Sequence, residues 1–106
     1  MASSDEIFEV EYTEECMEDI IEIYDYISTK LKNSNAAKRL IFNINEKILS
    51  LSKFPDMYVK IGKTDRLKRE YHRIVIKKYI ILYTIDYSYR KVYISKIIYG
   101  KRNYFN

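Results

Sequence analysis

Cysteine, histidine and proline each occur once in these 106 residues, and glycine twice. A lone Cys16 closes no disulfide framework and builds no cysteine-based metal site. A lone His72 forms no histidine pair and completes no metal triad, so neither a metal nor another cofactor is implied. So little Pro and Gly points to well-defined elements joined by few long loops. No apolar run approaches the ~20 residues that cross a bilayer. The opening MASSDEIFEVE is acidic and lacks the basic-then-apolar layout of a signal peptide, so a reducing cytoplasm is the expected home and no membrane is an expected partner. Lys and Arg are missing from the first 29 positions, which hold ten acids from Asp5 to Asp25. The rest of the chain has all 19 basic residues and the other five acids. This polarity reads two ways: the basic part faces a polyanionic partner, or the acidic segment neutralises it inside the fold.

What is present is patterned throughout, and the length suits one domain spanning residues 1–106. Phe8, Val10 and Tyr12 alternate with Glu9 and Glu11, which predicts a strand solvated on one side. Thr13 then offers a helix N-cap, with Glu14 and Glu15 in the first turn where the helix dipole favours negative charge. Met17, Ile20, Ile21, Tyr24, Ile27 and Leu31 recur at helical spacing and predict an amphipathic helix with an acidic outer face. Ser34 or Asn35 is expected to cap a second helix, with Ala37, Leu40, Ile41, Ile44, Ile48 and Leu51 on its apolar stripe. Phe54-Pro55-Asp56 ends it. About three residues join the helices, so they are expected to lie antiparallel.

From Tyr71 onward, runs of Ile, Val and Tyr read as three strands, with a tight turn at Lys77-Lys78 and a looser one over Asp86 to Arg90. Tyr58 to Ile61 is a candidate extra strand. The expected architecture is α+β, in the order β-α-α-β-β-β, with the helical hairpin packed on one face of an antiparallel sheet. Residues 60–73 also carry a dense basic run, ending at Arg73.

Several stretches, in order, carry a family resemblance. They are Tyr24-Asp25-Tyr26-Ile27 at a helix end, Asn35-Ala36-Ala37 opening the next helix, and Ile48-x-x-Leu51-x-x-Phe54-Pro55 closing it. His72-Arg73-x-x-x-Ile76-x-x-Tyr79 with Leu82-Tyr83-x-Ile85-Asp86 follows, and Tyr99-Gly100-Lys101-Arg102-Asn103-Tyr104 comes last. Together they resemble the RelE/ParE toxins of bacterial toxin–antitoxin pairs over nearly the whole chain. The resemblance implies a small basic toxin silenced by a cognate antitoxin. Its target would be DNA gyrase in a ParE-like mode, or messenger RNA on the ribosome in a RelE-like mode. It would be a metal-independent endoribonuclease only in the second case.

RNA cleavage without metal needs a base for the 2′-hydroxyl, an acid for the leaving oxygen and cations for the phosphorane charge. The resemblance offers Arg73, Lys77, Arg102 and Tyr104. Arg73 and Lys77 are expected on one sheet face with Val75 between them. Arg102 would hold a phosphate, and Tyr104 would act as an acid or a stacking ring. The competing structural reading has Arg73 bracing the C-terminal segment and Lys77 only solubilising a turn. Two departures weigh against a nuclease. RelE-like nucleases generally carry an arginine after the aromatic residue that opens the second hairpin strand, and here Tyr79 is followed by Ile80. Many relatives carry a histidine where this chain has Tyr99. His72 is expected on the face opposite Arg73 in a structural role, and Cys16 as a helix-face filler whose acidic neighbours blunt the thiolate. Tyr87 and Tyr89 are the expected exposed aromatic pair. The antitoxin is expected to lay an amphipathic helix or strand near the helical hairpin or a sheet edge.

Overall fold

A computed structural model describes residues 7–63 and 69–100. Strand β1 (Glu9–Tyr12) leads into helix α1 (Glu14–Asp25), which continues as a π-helical turn over Tyr26–Lys30. Helix α2 (Ser34–Leu49) returns and ends in a 3-10 turn at Ser50–Ser52. Four strands follow: β2 (Lys60–Ile61), β3 (Tyr71–Ile76), β4 (Tyr79–Asp86) and β5 (Lys91–Tyr99). They form one sheet in the order β1-β5-β4-β3-β2.

Local chemistry explains most of the boundaries. The Thr13 hydroxyl accepts from Cys16 N–H and caps α1 as expected, while also donating to the Ile94 and Ser95 carbonyls of β5. The cap of α2 is Asn33, one residue before Ser34 and two before Asn35, with its side-chain oxygen accepting from Ala36 N–H at 3.0 Å. A short amide that bonds its own backbone can both stop one helix and start the next.

The α2 stripe is buried as read: Ala37, Leu40, Ile44, Ile48 and Leu51 all lie in the core, with Ile41 at its margin. The α1 stripe is rotated. Cys16, Ile20, Ile23, Tyr24 and Ile27 meet the core, while Met17, Ile21 and Leu31 are exposed. Apolar neighbours Ile20-Ile21 and Ile23-Tyr24 blur the centre of that stripe. The π turn, closed by Leu31 N–H to the Tyr26 carbonyl, then moves Leu31 outward.

The sheet supplies the opposing wall through Ile74, Ile76, Ile81, Tyr83, Val92, Ile94 and Ile97. Strands β2 to β5 are antiparallel, as expected for hairpin-linked runs. Strand β1 corrects the expectation of a wholly antiparallel sheet, because it pairs parallel with β5, from Glu9 beside Lys91 to Tyr12 beside Ile94. Only a hairpin forces neighbouring strands to run oppositely, and β1 is separated from β5 by both helices and the meander. Beyond Tyr12 the free edge of β5 is taken over by α1: Asp19 accepts the Ile97 N–H at 2.9 Å and Glu15 pairs with Lys96 at 3.2 Å. Part of the acidic segment therefore neutralises basic strand residues inside the fold, as Glu9 and Glu11 also do with Lys91.

Candidate functional site

Alternation along β3 separates its side chains cleanly. His72, Ile74 and Ile76 face the helices, while Tyr71, Arg73 and Val75 face the other way. In register with them stand Leu82 opposite Arg73 and Ile80 opposite Val75. Across β4, Leu82 faces Lys96 and Ile80 faces Ile98. A bulge between Leu82 and Tyr83 restores the alternation beyond Ser95, so that Ile97 points to the core and Lys96 to the open face. The centre of this face is apolar: Ile80, Leu82 and Ile98 are buried against Ile61 and Tyr71. Ile80, at 8% exposure, occupies the position where the resemblance to RelE-like nucleases implies an arginine. Arg73 is half-buried at the margin, with its backbone N–H donating to the Val59 carbonyl.

Lys77 does not join Arg73 on that face. It sits in the two-residue turn between Ile76 and Tyr79, with φ +52°. Lys77 and Lys78 instead line a cleft of about 740 Å3 beneath the helical hairpin, with Ile23, Tyr26, Ile27 and Leu31 on one wall and Tyr79 and Tyr99 on the other. Strict alternation does not extend into a turn, which is why the expectation failed. Arg102 and Tyr104 lie outside the described residues. The chain leading to them is fixed at Gly100, whose N–H donates to the Lys78 carbonyl at 2.6 Å. A Cβ at Gly100 would lie 3.1 Å from that carbonyl oxygen, so the close approach favours glycine.

The single histidine has the structural place expected of it. His72 stacks on Tyr83 with ring centroids 5.2 Å apart, and burial followed by the Lys60 charge holds its pKa below the ordinary value. The Tyr83 hydroxyl donates to the Pro55 carbonyl at 2.8 Å, and burial raises its pKa. Cys16 is fully buried and pushed up to about 12 by burial, then by Asp19 and Glu15, which leaves no nucleophilic thiolate near neutrality. Tyr87 and Tyr89 are exposed, at 61% and 76%. Among the described residues, no group of three His, Cys, Asp or Glu side chains is placed to hold a metal ion. Nor is any described helix long and apolar enough to cross a membrane.

Sequence reasoning missed the cleft. Its walls come from the α1–α2 junction, the β3–β4 turn and the end of β5, and no local pattern brings these together. Tyr26, Tyr79 and Tyr99 all line this cleft, where burial, then Tyr99 and Tyr26, raise the Tyr79 pKa.

Residues 10–104 match the family model described as "ParE toxin of type II toxin-antitoxin system, parDE". No curated protein matches the chain in sequence. Among solved structures, it is similar to a chain of the chromosomal ParDE toxin–antitoxin system from P. aeruginosa, at 13% identity and TM-score 0.68, covering 89% of this chain and 97% of that one. A chain of the toxin–antitoxin complex RelBE2 from Mycobacterium tuberculosis aligns at 18% identity and TM-score 0.62, over 88% and 91%. A chain of the archaeal RelE-RelB complex from Pyrococcus horikoshii OT3 aligns at 14% identity and TM-score 0.58, over 91% and 98%. At such identities these neighbours speak for the fold alone.

Proposed function

The chain belongs to the ParE toxin family of type II toxin–antitoxin systems, and from that membership we propose that it arrests growth by binding DNA gyrase rather than by cutting messenger RNA. The observation carrying this reading is the residue after Tyr79. An isoleucine packed among Leu82 and Ile98 neither binds phosphate nor stabilises transition-state charge. The cation across from Leu82, Lys96, is drawn to Glu15 on α1. Tyr99, in the position where many relatives carry histidine, turns toward Tyr79 in the cleft, with ring centroids 5.7 Å apart. The open face presents Arg73, and the sequence resemblance offers Arg102 and Tyr104, which lie outside the described residues. That is a set suited to gripping a target more than to moving protons.

In this reading the protein works in the cytoplasm, bound by a cognate antitoxin until released. The test pairs two assays on one protein. Purified chain is added to gyrase supercoiling and DNA-cleavage reactions, and cells expressing it are probed by primer extension on ribosome-bound messages. Inhibited supercoiling with intact messages is expected. New message ends with untouched gyrase would overturn the proposal in favour of a RelE-like nuclease using Arg73, Lys77, Arg102 and Tyr104. Failure of both assays with no growth arrest would mark a chain that only binds its antitoxin.

A further inference from the structure

The outer side of the helical hairpin carries an apolar seam that the described residues leave open. Met17 and Ile21 on α1, and Phe42 and Leu49 on α2, are between 53% and 62% exposed. Two anchored contacts place all four along the line between the helices. On α1, Glu15 and Asp19 reach the edge of β5 from one flank of the core stripe through Cys16 and Ile20. At 3.6 residues per turn Met17 and Ile21 fall on the other flank, the one turned toward α2. On α2, Asn45 accepts from the Tyr12 hydroxyl of β1, which marks the flank turned toward α1. Phe42 lies three residues before Asn45 and Leu49 four after it, on that same flank. A single exposed apolar side chain is ordinary, but four along one seam mark a contact surface. Charge is divided between the banks of this seam. Glu14, Glu18, Glu22 and Asp25 stand exposed on α1, which has no Lys or Arg, while Lys38 and Arg39 stand exposed on α2. Among the described residues none of these six is in an ion pair.

We propose that the seam pairs with the same seam of a second copy of this chain, across a twofold axis running along it, to form a reversible homodimer. The proposal goes beyond the toxin reading and does not depend on it. A self-complementary contact of this face has two geometries. An axis across the helices lays α1 on α1 and sets acid against acid. An axis along the seam lays α1 of one copy, antiparallel, on α2 of the other. Counted from the joint at residues 31–33, the second geometry brings Asp25 to the partner's Lys38 and Glu22 to the partner's Arg39, twice over. Glu18 then meets the partner's Glu46, one like-charged contact against two opposed pairs. A wholly acidic or wholly basic partner is repelled by one bank, whereas a second copy presents each bank with its complement. The face runs about 24 Å along α2 and roughly 20 Å across two helices, on the order of 500 Å2 per copy, below the ~800 Å2 of a standard interface. Dimers of this size are expected to dissociate on dilution. The open face of the sheet, with Arg73, lies away from the hairpin and stays outside the contact.

The test is sedimentation velocity of the full chain over a ~100-fold range of concentration, at low and high salt. Wild type is expected to pass from monomer to dimer as concentration rises, and less readily in high salt. Two double variants carry the decision: Glu22→Lys with Asp25→Lys, and Lys38→Glu with Arg39→Glu. Each alone sets like charge on like across the seam and is expected to dimerise at least ~10-fold more weakly. Mixed in equal amounts they restore both contacts, so the mixture is expected to dimerise as wild type does. A control, Lys47→Glu with Lys53→Glu, alters charge on the far flank of α2 and beyond it, and is expected to stay within roughly two-fold of wild type. Amide shifts of the wild type on dilution need no variant, and are expected at Met17, Ile21, Phe42 and Leu49. Wild type that stays monomeric at ~500 µM overturns the proposal. So does weakening equal in the control, loss of the dimer without recovery on mixing, or dilution shifts confined to other surfaces. Seam shifts that arise in a monomeric chain only on adding the product of the adjacent gene would give this surface to that partner and also overturn it. None of these readouts involves gyrase or message cleavage, so their failure leaves the toxin reading standing.

Discussion

At the residue scale, His72 and Lys77 show how single positions respond to the fold. Burial and Lys60 hold the His72 pKa below its ordinary value of 6.5. Between those two values the unfolded chain binds more protons than the folded one, so this residue's contribution is complete above 6.5 and lost as pH falls toward the folded value. In urea titrations from about pH 7.5 to about pH 5.5, wild type is expected to lose more stability than His72→Phe, which keeps the stack on Tyr83. Identical slopes would show that the imidazole is not the titrating group. Lys77, at φ +52°, tests backbone conformation. Lys77→Val is expected to cost about 1–2 kcal/mol, because a β-branched side chain resists the left-handed region, while Lys77→Gly stays within about 0.5 kcal/mol of wild type. Denaturant midpoints of the two variants measure the difference. For function, Arg102→Ala is expected to abolish growth arrest on induction in bacteria. Undiminished arrest would remove that arginine from the site under either mechanism.

At the element scale, the informative contact is the hydrogen bond from the Ile97 N–H to Asp19, which fastens α1 to the edge of β5. Asp19→Ala is expected to cost about 1.5–3 kcal/mol, since it removes a charge-assisted bond and leaves a strand amide unpaired. Asp19→Asn keeps an acceptor and should lose under ~1 kcal/mol. Exchange of the Ile97 amide reads the bond directly, and protection unchanged in Asp19→Ala would refute this account. Elements of this kind were unevenly legible beforehand. The α2 stripe was readable because one apolar residue per turn defines its centre. The β3–β4 and β4–β5 turns were readable because Ile76 pairs with Tyr79 and Asp86 with Lys91, where the polar breaks fall. In α1, apolar residues crowd both sides of the stripe and a π turn shifts its phase, so the rotation was hidden. The direction of β1 depends on a crossover whose path no short-range pattern records. For the site, the face of Arg73 followed from alternation with Ile74, whereas the position of Lys77 followed only from the turn it occupies.

At the scale of the whole molecule, the separation of charge along the chain is met partly inside the fold. Carboxylates from β1 and α1 neutralise Lys91 and Lys96 along β5. Among the described residues, Lys30, Lys32, Lys77 and Lys78 at the opposite end of the helical hairpin have no such carboxylate partner. A partner that binds only the folded chain must raise its stability by mass action. Free antitoxin at ~1000 times its dissociation constant is expected to add about 4 kcal/mol, seen as a higher unfolding midpoint of the mixture. A midpoint unmoved at that excess would rule out recognition of the native form.

The bond from Gly100 N–H to the Lys78 carbonyl makes the tip of one hairpin and the root of the carboxyl-terminal tail a single joint. Whatever leans on Lys78 therefore bears on the stem that continues to Arg102 and Tyr104. A push on the Lys77-Lys78 turn is therefore passed straight into the end of β5, and a side chain at Gly100 that parts the two would loosen both at once.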